Sequence, residues 1–246
     1  MIKEKVKSLI WSLGWEIKKR NREVRENENL WLQNLGIETV LDIGANDGEF
    51  AKHVRSVLPT AQIYSFEPLK DCFQRLQAHF VEDSKFQAIN LALGSQAEHV
   101  TIYRSSYSPS SSLLPMADLH KQAFPHTSGQ SEEIVEVAKL DDLATKLNIK
   151  LPLLLKMDVQ GFETEVIAGG LDTLKQASVL ILEMSLEKLY EGQELFDSMY
   201  RRLHDLGFHY CGNYAQLRHS EDNRVLQIDA IFRKDKKILD SEHITL

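Results

Sequence analysis

The sequence predicts an α/β fold built on a parallel sheet. Short apolar runs recur at Val40–Ile43, Ile63–Phe66, Phe86–Leu93, Leu153–Asp158 and Val179–Met184. Several of them stop at a glycine or an acid, which suits strand tips. Segments with helical spacing lie between them, such as Phe50, Val54 and Leu58, then Cys72, Phe73, Leu76 and Phe80. Apolar strands alternating with amphipathic helices are the signature of a parallel sheet covered by helices, with right-handed crossovers.

The first strand leads into Gly44-Ala45-Asn46-Asp47-Gly48-Glu49-Phe50. This is a glycine turn followed by a helix start. Glycine permits backbone angles and close approaches that a Cβ forbids. The free N–H groups and positive dipole end of the helix face whatever sits in the turn. An acid at the strand tip, the turn and the helix start together predict a nucleotide or nucleoside pocket.

Later elements follow in order. Val100–Tyr103 and Ile134–Val137 are expected strands on either side of a long segment, residues 104–133. That segment holds many serines and three of the six prolines, with almost no periodicity. Loops of this length serve as lids or binding loops, or are disordered; a lid or acceptor loop and plain disorder are both open. Leu140–Leu147, Gly161–Ala168 and Glu194–Leu206 are expected helices, the last ended by Gly207. Tyr210–Leu217 and Val225–Phe232 alternate around Ser220-Glu221-Asp222-Asn223, which predicts a closing antiparallel hairpin.

With 246 residues, the chain is long enough for one sizeable core. Residues 36–246 are expected to form the main domain, and residues 1–35 an N-terminal helical extension. In that extension Ile2, Val6, Leu9, Ile10, Leu13 and Ile17 share a face. It caps the domain, covers a partner subunit, or lies on an anionic membrane surface through residues 1–22. Those 22 residues carry a net charge of +5, against −7 for the whole chain. The overall acidity argues against nucleic acid as a partner. Cys72 and Cys211 are the only cysteines, without metal-type spacing. Free thiols in a reducing compartment follow, hence a cytoplasmic protein, with the inner membrane face an option. No apolar run approaches the roughly 20 residues of a membrane span, and no signal cleavage site follows the basic start. The nine histidines form no convincing set, although a base from the 104–133 segment (His120 or His126) is open.

The chemistry concentrates at strand tips. Glu67 lies 19 residues beyond Gly48. An acid at about that offset, after the second strand, accepts hydrogen bonds from ribose hydroxyls; capping the next helix is the bland alternative. The turn lacks the dinucleotide fingerprint, because Asn46 and Glu49 stand where its second and third glycines belong. Asp42, Asp47 and Glu49 would repel a pyrophosphate. They suit a ligand with positive charge, such as the sulfonium and ammonium of S-adenosylmethionine.

Asp42-Ile43-Gly44-Ala45-Asn46-Asp47-Gly48, Phe66-Glu67-Pro68, Asn90-Leu91-Ala92-Leu93-Gly94 and Leu155-Lys156-Met157-Asp158-Val159-Gln160-Gly161-Phe162-Glu163 carry a resemblance. The first looks like motif I of class I S-adenosylmethionine-dependent methyltransferases. All four together resemble the FkbM-type methyltransferase family, over roughly residues 36–235. The resemblance implies a Rossmann-like, seven-stranded mixed sheet with an antiparallel last strand, consistent with the hairpin. It also implies methylation of hydroxyls on sugars, glycans and related small molecules. Carried over residue by residue, Asp42, Gly44, Ala45, Asn46 and Gly48 would line the methionine part of the cofactor. Glu67, with Pro68 beside it, would hold the ribose. Asn90 and Ala92 would border the adenine, unless Asn90 simply closes its loop.

In the implied topology the chain reverses between the first strand and the strand carrying Asp158, and that reversal frames the ligand crevice. Asp158 would then face the methyl group. It is expected to act as general base or acceptor-orienting group, as a divalent-cation ligand with Glu183, or structurally. Lys156 and Glu163 carry no firm expectation. The leading function is an S-adenosylmethionine-dependent O-methyltransferase. A non-catalytic binding module on the same fold and a nicotinamide-dependent oxidoreductase are the competing readings. The acceptor's identity and the oligomeric state, a homo-oligomer included, stay open.

Overall fold

The computed structural model describes residues 30–234. The chain divides into two compact units, Met1–Leu35 and Gly36–Leu246. Of the first unit only one helical turn, Leu30–Gln33, is described. The amphipathic face and membrane contact expected at residues 1–22 lie outside the described residues. Among those described, no helix is long and apolar enough to cross a membrane.

The second unit runs β1 (Thr39–Ile43), α1 (Glu49–Val57), β2 (Gln62–Phe66), α2 (Lys70–His79), β3 (Phe86–Ile89), β4 (Ala92–Leu93) and β5 (Glu98–Ser105). It continues with α3 (Asp118–Ala123), β6 (Gln130–Ala138), α4 (Leu140–Ala144), β7 (Leu153–Met157), α5 (Glu163–Gly169) and α6 (Leu171–Gln176). It closes with β8 (Ala177–Ser185), α7 (Phe196–Asp205), β9 (His209–Arg218) and β10 (Val225–Arg233).

Seven strands pair in the order β3-β2-β1-β7-β8-β10-β9. The first five in that order are parallel, and β10 runs antiparallel to both β8 and β9. This is the expected mixed seven-stranded α/β sheet, with the expected C-terminal hairpin. The central strands β1 and β7 are buried at every position. That explains why their sequences are apolar on both faces apart from Thr39, Asp42 and Lys156: a strand covered on both faces has no solvent side to mark with alternation. The core joins Leu41, Ile43, Leu155 and Leu182 from the parallel strands to Met199 and Leu203 of α7, to Phe208 just before β9 and to Phe232 of β10. Fully burying one such side chain stabilises the fold by about 1.5–3 kcal/mol. The strand order reverses between β1 and β7, so their carboxyl ends open a crevice.

Three expectations need correction. The single strand Phe86–Leu93 is two strands in two sheets. Asn90 turns the chain: its side-chain amide donates to Glu67 O at 2.8 Å and Pro68 O at 2.9 Å. Ala92–Leu93 then leaves the main sheet and pairs with β6, in a small sheet ordered β4-β6-β5. Second, residues 104–133 are not an unstructured loop. β5 extends to Ser105 and β6 starts at Gln130, with Ser105 paired to Gln130. Between them lie two 3-10 turns (Ser108–Ser110 and Pro125–Thr127) and α3. Third, the helices expected at Leu140–Leu147, Gly161–Ala168 and Glu194–Leu206 are shorter or shifted, and α6 was not expected. α4, α5 and α6 pack against one another, and such tertiary contacts let short helices form without strong local signals.

Candidate active site

The β1–α1 turn forms the floor of the crevice. Gly44 adopts φ +76, and a Cβ there would meet the Asp158 carbonyl oxygen at 1.9 Å. No other residue fits where β1 and β7 end this close together. Gly48, at φ +83, starts α1, and a Cβ would strike Leu76 of α2 at 2.6 Å. Gly48 thus seats the helix on its neighbour. Asn46 sits at φ +44 between them, a conformation Asn tolerates better than most residues.

Asp42 lies beneath the turn, fully buried, and does not line the crevice. This differs from the direct cofactor contact implied for it. In register, Asp42 stands between Ser65 on β2 and Lys156 on β7. Ser65 Oγ donates to Asp42 Oδ2 at 3.1 Å, and Lys156 Nζ lies 3.7 Å from Oδ1. Burial pushes the Asp42 carboxyl above its ordinary range, against the pull of Lys156. Lys156 Nζ also donates to Gly44 O at 3.3 Å and to Asp158 Oδ2 at 3.2 Å. Burial alone would lower the Lys156 pKa; Asp158 and Asp42 outweigh it and hold the ammonium charged. Lys156 therefore ties the turn, the buried Asp42 and Asp158 together.

Glu67 caps the tip of β2 at the crevice wall and is almost fully buried. Its Oε2 accepts from Asn46 N–H and its Oε1 from Leu69 N–H, both at 2.8 Å. Leu69 is the residue just before α2, so the carboxylate also fixes the chain's entry into that helix. Each oxygen keeps a second lone pair for a ligand. Burial raises this carboxyl to about 7, although both N–H bonds pull it down.

Two clefts meet at the crevice. The first is the smaller and more enclosed of the two. Gly44, Asn46, Glu67 and Pro68 line one side of it, and Phe66, Ala92, Leu93, Ile102 and Phe162 make an apolar wall. Asn90 stands outside, occupied in closing its loop. The second cleft is larger and more open. Ala45, Asp47, Glu49, Phe50, His53, Tyr107 and Tyr214 line it. Asp158 lines both, as do Gly44, Asn46, Ser108 and Pro109.

Asp158 is fixed from two sides: Oδ2 by Lys156, and Oδ1 by the side-chain amide of Gln160 at 2.7 Å. The same Gln160 Nε2 donates to Glu183 Oε1 at 2.8 Å and Oε2 at 2.9 Å. Gln160 Oε1 lies 2.8 Å from the Tyr190 hydroxyl, which is also 3.0 Å from Ser110 O. The opposite amide orientation would turn an oxygen toward two carboxylates, so electrostatics fixes this one. Burial, then the charge of Asp158, pushes the Glu183 carboxyl well above its ordinary range. Glu163 is likewise raised by burial, to about 7, while its Oε1 accepts from Val159 N–H at 3.0 Å.

Glu183 and Asp158 were expected as a pair that could share a divalent cation. The structure brings them together, but through the Gln160 amide, a donor standing where a cation would stand. Among the described residues no group of three or more His, Cys, Asp or Glu side chains is arranged to hold a metal ion. Glu183 also lines neither cleft, so it supports Asp158 from behind. Sequence reasoning missed Gln160, Tyr190 and Ser108. Gln160 sits at φ +56 before Gly161 at φ +98, and Gln-Gly after a strand tip was the available signal. Tyr190 and Ser108 had none, being placed by long-range contacts.

His120, one candidate base from the 104–133 segment, is buried between Phe124 and Tyr190 and held neutral by burial, with a pKa lowered to about 4. It lines neither cleft.

Residues 42–210 match the family described as the methyltransferase FkbM domain, most of the chain. The chain belongs to the FkbM methyltransferase family. Among curated relatives of this FkbM protein is the 2-O-methyltransferase NoeI of Sinorhizobium fredii, 29% identical over 160 residues that cover 63% of this chain and 66% of that protein. A second is the AMB antimetabolite synthetase AmbE of Pseudomonas aeruginosa, 30% identical over 176 residues, covering 59% of this chain and 8% of that protein. The chain thus spans just under two thirds of the first relative's length and a small part of the second. Among solved structures, Aeropyrum pernix fibrillarin with natively bound S-adenosyl-L-methionine aligns with a TM-score of 0.46 at 13% identity, covering 83% of this chain and 74% of that one. At that score the likeness carries no weight, and the fold rests on the strand order itself.

Proposed function

We propose that this FkbM protein is an S-adenosylmethionine-dependent O-methyltransferase whose acceptor is a hydroxyl of a sugar, glycan or small metabolite. The observation that carries the reading is Asp158, the carboxylate at the junction of two clefts. The smaller cleft fits the cofactor: an apolar wall for the base, Glu67 lone pairs for the ribose diol, and the Gly44–Asn46 turn for the methionine end. When bound there, S-adenosylmethionine supplies an electrophilic methyl group. Asp158 then faces an acceptor hydroxyl in the second cleft. An alcohol is a weak nucleophile until its proton begins to leave, and Asp158 accepts that proton. Lys156 and Gln160 hold the carboxylate in place without filling its lone pairs. Positioning and exclusion of water do the rest. The Ser108–Pro109 segment roofs both clefts, with Ser108 Oγ donating to Asn46 Oδ1 at 3.1 Å.

Calorimetry with S-adenosylmethionine, paired with mass spectrometry for methylated products from a glycan panel, tests the reading. Micromolar binding and a product 14 Da heavier than its acceptor are expected, on the order of one CH2 added. Asp158→Asn should leave binding within about threefold and lower turnover at least about 100-fold. No cofactor binding by folded protein sinks the proposal. Unchanged turnover in Asp158→Asn removes Asp158 as base.

A further inference from the structure

We infer that the second cleft is the acceptor site, and that it selects neutral or amine-bearing sugar rings and rejects those carrying phosphate or carboxylate. The inference rests on the methyl-transfer reading above, since it assigns the far side of Asp158 to the acceptor. Its own support is the chemistry of the cleft's walls.

One wall is aromatic. Phe50 and Tyr214 meet edge to face with centroids 6.1 Å apart, and His53 stands 6.3 Å from Tyr214 in a similar edge contact. Tyr107 of the roof segment lines the same cleft, 52% exposed, with one edge contact to His126. An exposed tyrosine beside a cleft keeps a costly apolar face in water unless something covers it. Sugar rings suit such faces, because their C–H bonds carry slight positive charge and the π face is negative.

The other wall is acidic. Asp47, Glu49 and Asp158 line the cleft, and Lys156 is its one lysine or arginine. The charge of Lys156 is already met by Asp158, Asp42 and Gly44 O. Arg75 neutralises Asp47 at 2.9 Å, but it is held in turn by Asp71 at 2.9 Å and lines a different cleft. Among the described residues the Glu49 carboxylate has no ion-pair or hydrogen-bond partner, and it is exposed at the cleft edge. The cleft therefore presents excess negative charge beside its aromatic faces. Sugar hydroxyls and ammonium groups donate to carboxylates, whereas a phosphate or uronate would face like charge.

The test uses the full chain, with and without S-adenosylhomocysteine, and a panel of methyl hexosides. Each hexoside is paired with its 2-amino and 6-phosphate counterparts. Saturation-transfer NMR reads binding. At least one neutral or amino hexoside should receive saturation, and its phosphate at least about fivefold less, as like-charge repulsion at a partly exposed site predicts. Glu49→Gln should cut that discrimination to about twofold or less, the loss of one screened like charge. Tyr107→Ala, at an exposed position that leaves the core intact, should abolish transfer to every sugar. Equal binding of phosphate and neutral forms, transfer to no panel member, or unchanged transfer in both Tyr107→Ala and Tyr214→Ala overturns the inference. Calorimetry with S-adenosylmethionine on the same proteins separates the two readings. Loss of cofactor binding in the wild-type protein counts against methyl transfer. Intact cofactor binding with unselective sugar binding counts against the acceptor site alone.

Discussion

The floor and the roof of the crevice are built in opposite ways. The floor, residues 44–48, is assembled from neighbours in sequence: two glycines at positive φ, one Asn at positive φ, and the first turn of α1. The roof, residues 106–129, is held by partners far along the chain. Ser105 Oγ donates to Thr127 O across 22 residues, Ser112 Oγ to Gln160 O across 48, and Ser108 Oγ to Asn46 Oδ1 across 62. Tyr190 reaches Ser110 O across 80. A floor made of backbone geometry tolerates almost no substitution. A roof made of many single hydrogen bonds, each worth about 1 kcal/mol net, loses them one at a time. The difference teaches where rigidity and adjustability lie: the turn is fixed by backbone geometry, and the roof by separate hydrogen bonds that can be lost singly.

The sharpest way to break that contrast is at Gly44. Gly44→Ala combines strain at φ +76 with a Cβ 1.9 Å from the Asp158 carbonyl oxygen. It should lower unfolding free energy by at least about 3 kcal/mol and abolish S-adenosylmethionine binding. Urea denaturation and calorimetry read both. Binding within threefold of wild type would mean that the turn is not the donor's seat.

Next comes Gln160, which joins Asp158 to the roof through Ser112. Gln160→Leu leaves Asp158 and Glu183 facing each other without the amide between them. A loss of about 2–3 kcal/mol at pH 7.5 is expected, since charged groups lose their donor. The loss should shrink as pH falls, because burial and the charge of Asp158 favour the protonated Glu183 and protonation removes the repulsion. A pH-independent loss would assign Gln160 to packing alone.

Glu67 makes the floor pH-sensitive. Its carboxyl is raised to about 7 by burial, above its value in the unfolded chain. Between the unfolded and folded values, folding takes up a proton. Stability from this group is thus present at low pH and lost as pH rises through about 7, and Glu163 acts in the same direction. Ligand binding runs the other way. A ribose diol donates to the ionised carboxylate, so S-adenosylmethionine affinity should rise with pH up to about 7 and level off above it. The slope approaches about tenfold per pH unit well below that point. Calorimetry from pH 5.5 to 8.5 measures it, and Glu67→Gln should flatten the curve. An unchanged slope in that variant would move the titration elsewhere.

The smallest effect belongs to the roof. Ser108→Ala removes one hydrogen bond to Asn46 and should cost about 0.5–1 kcal/mol. Cofactor affinity should change less than about fivefold, mostly through faster dissociation. Stopped-flow release of S-adenosylhomocysteine checks this. A loss as large as that of Gly44→Ala would erase the distinction between floor and roof.

Local sequence rules were enough for the parallel strands, the glycine turn and the Glu67 spacing, while the reversal that puts Asp158 beside the turn came from the family resemblance. Each depends on local rules: apolar strand runs, glycine at a sharp turn, and an acid at a strand tip. Their neighbours in space follow from topology. The sequence did not reveal that Asp42 is a buried anchor. An acid at a strand tip has the same one-dimensional pattern whether its side chain meets ligand or Lys156. Nor did it choose between an adenine border and loop closure for Asn90, or between a lid and disorder for the serine-rich segment, because those outcomes lie in hydrogen bonds to distant partners. The tertiary structure decided which acids face the crevice, since burial and the Gln160 amide sort Asp158 from Glu183. It also divided the crevice into two clefts, because only the folded chain sets Tyr214 of β9 and Tyr107 of the roof beside the start of α1.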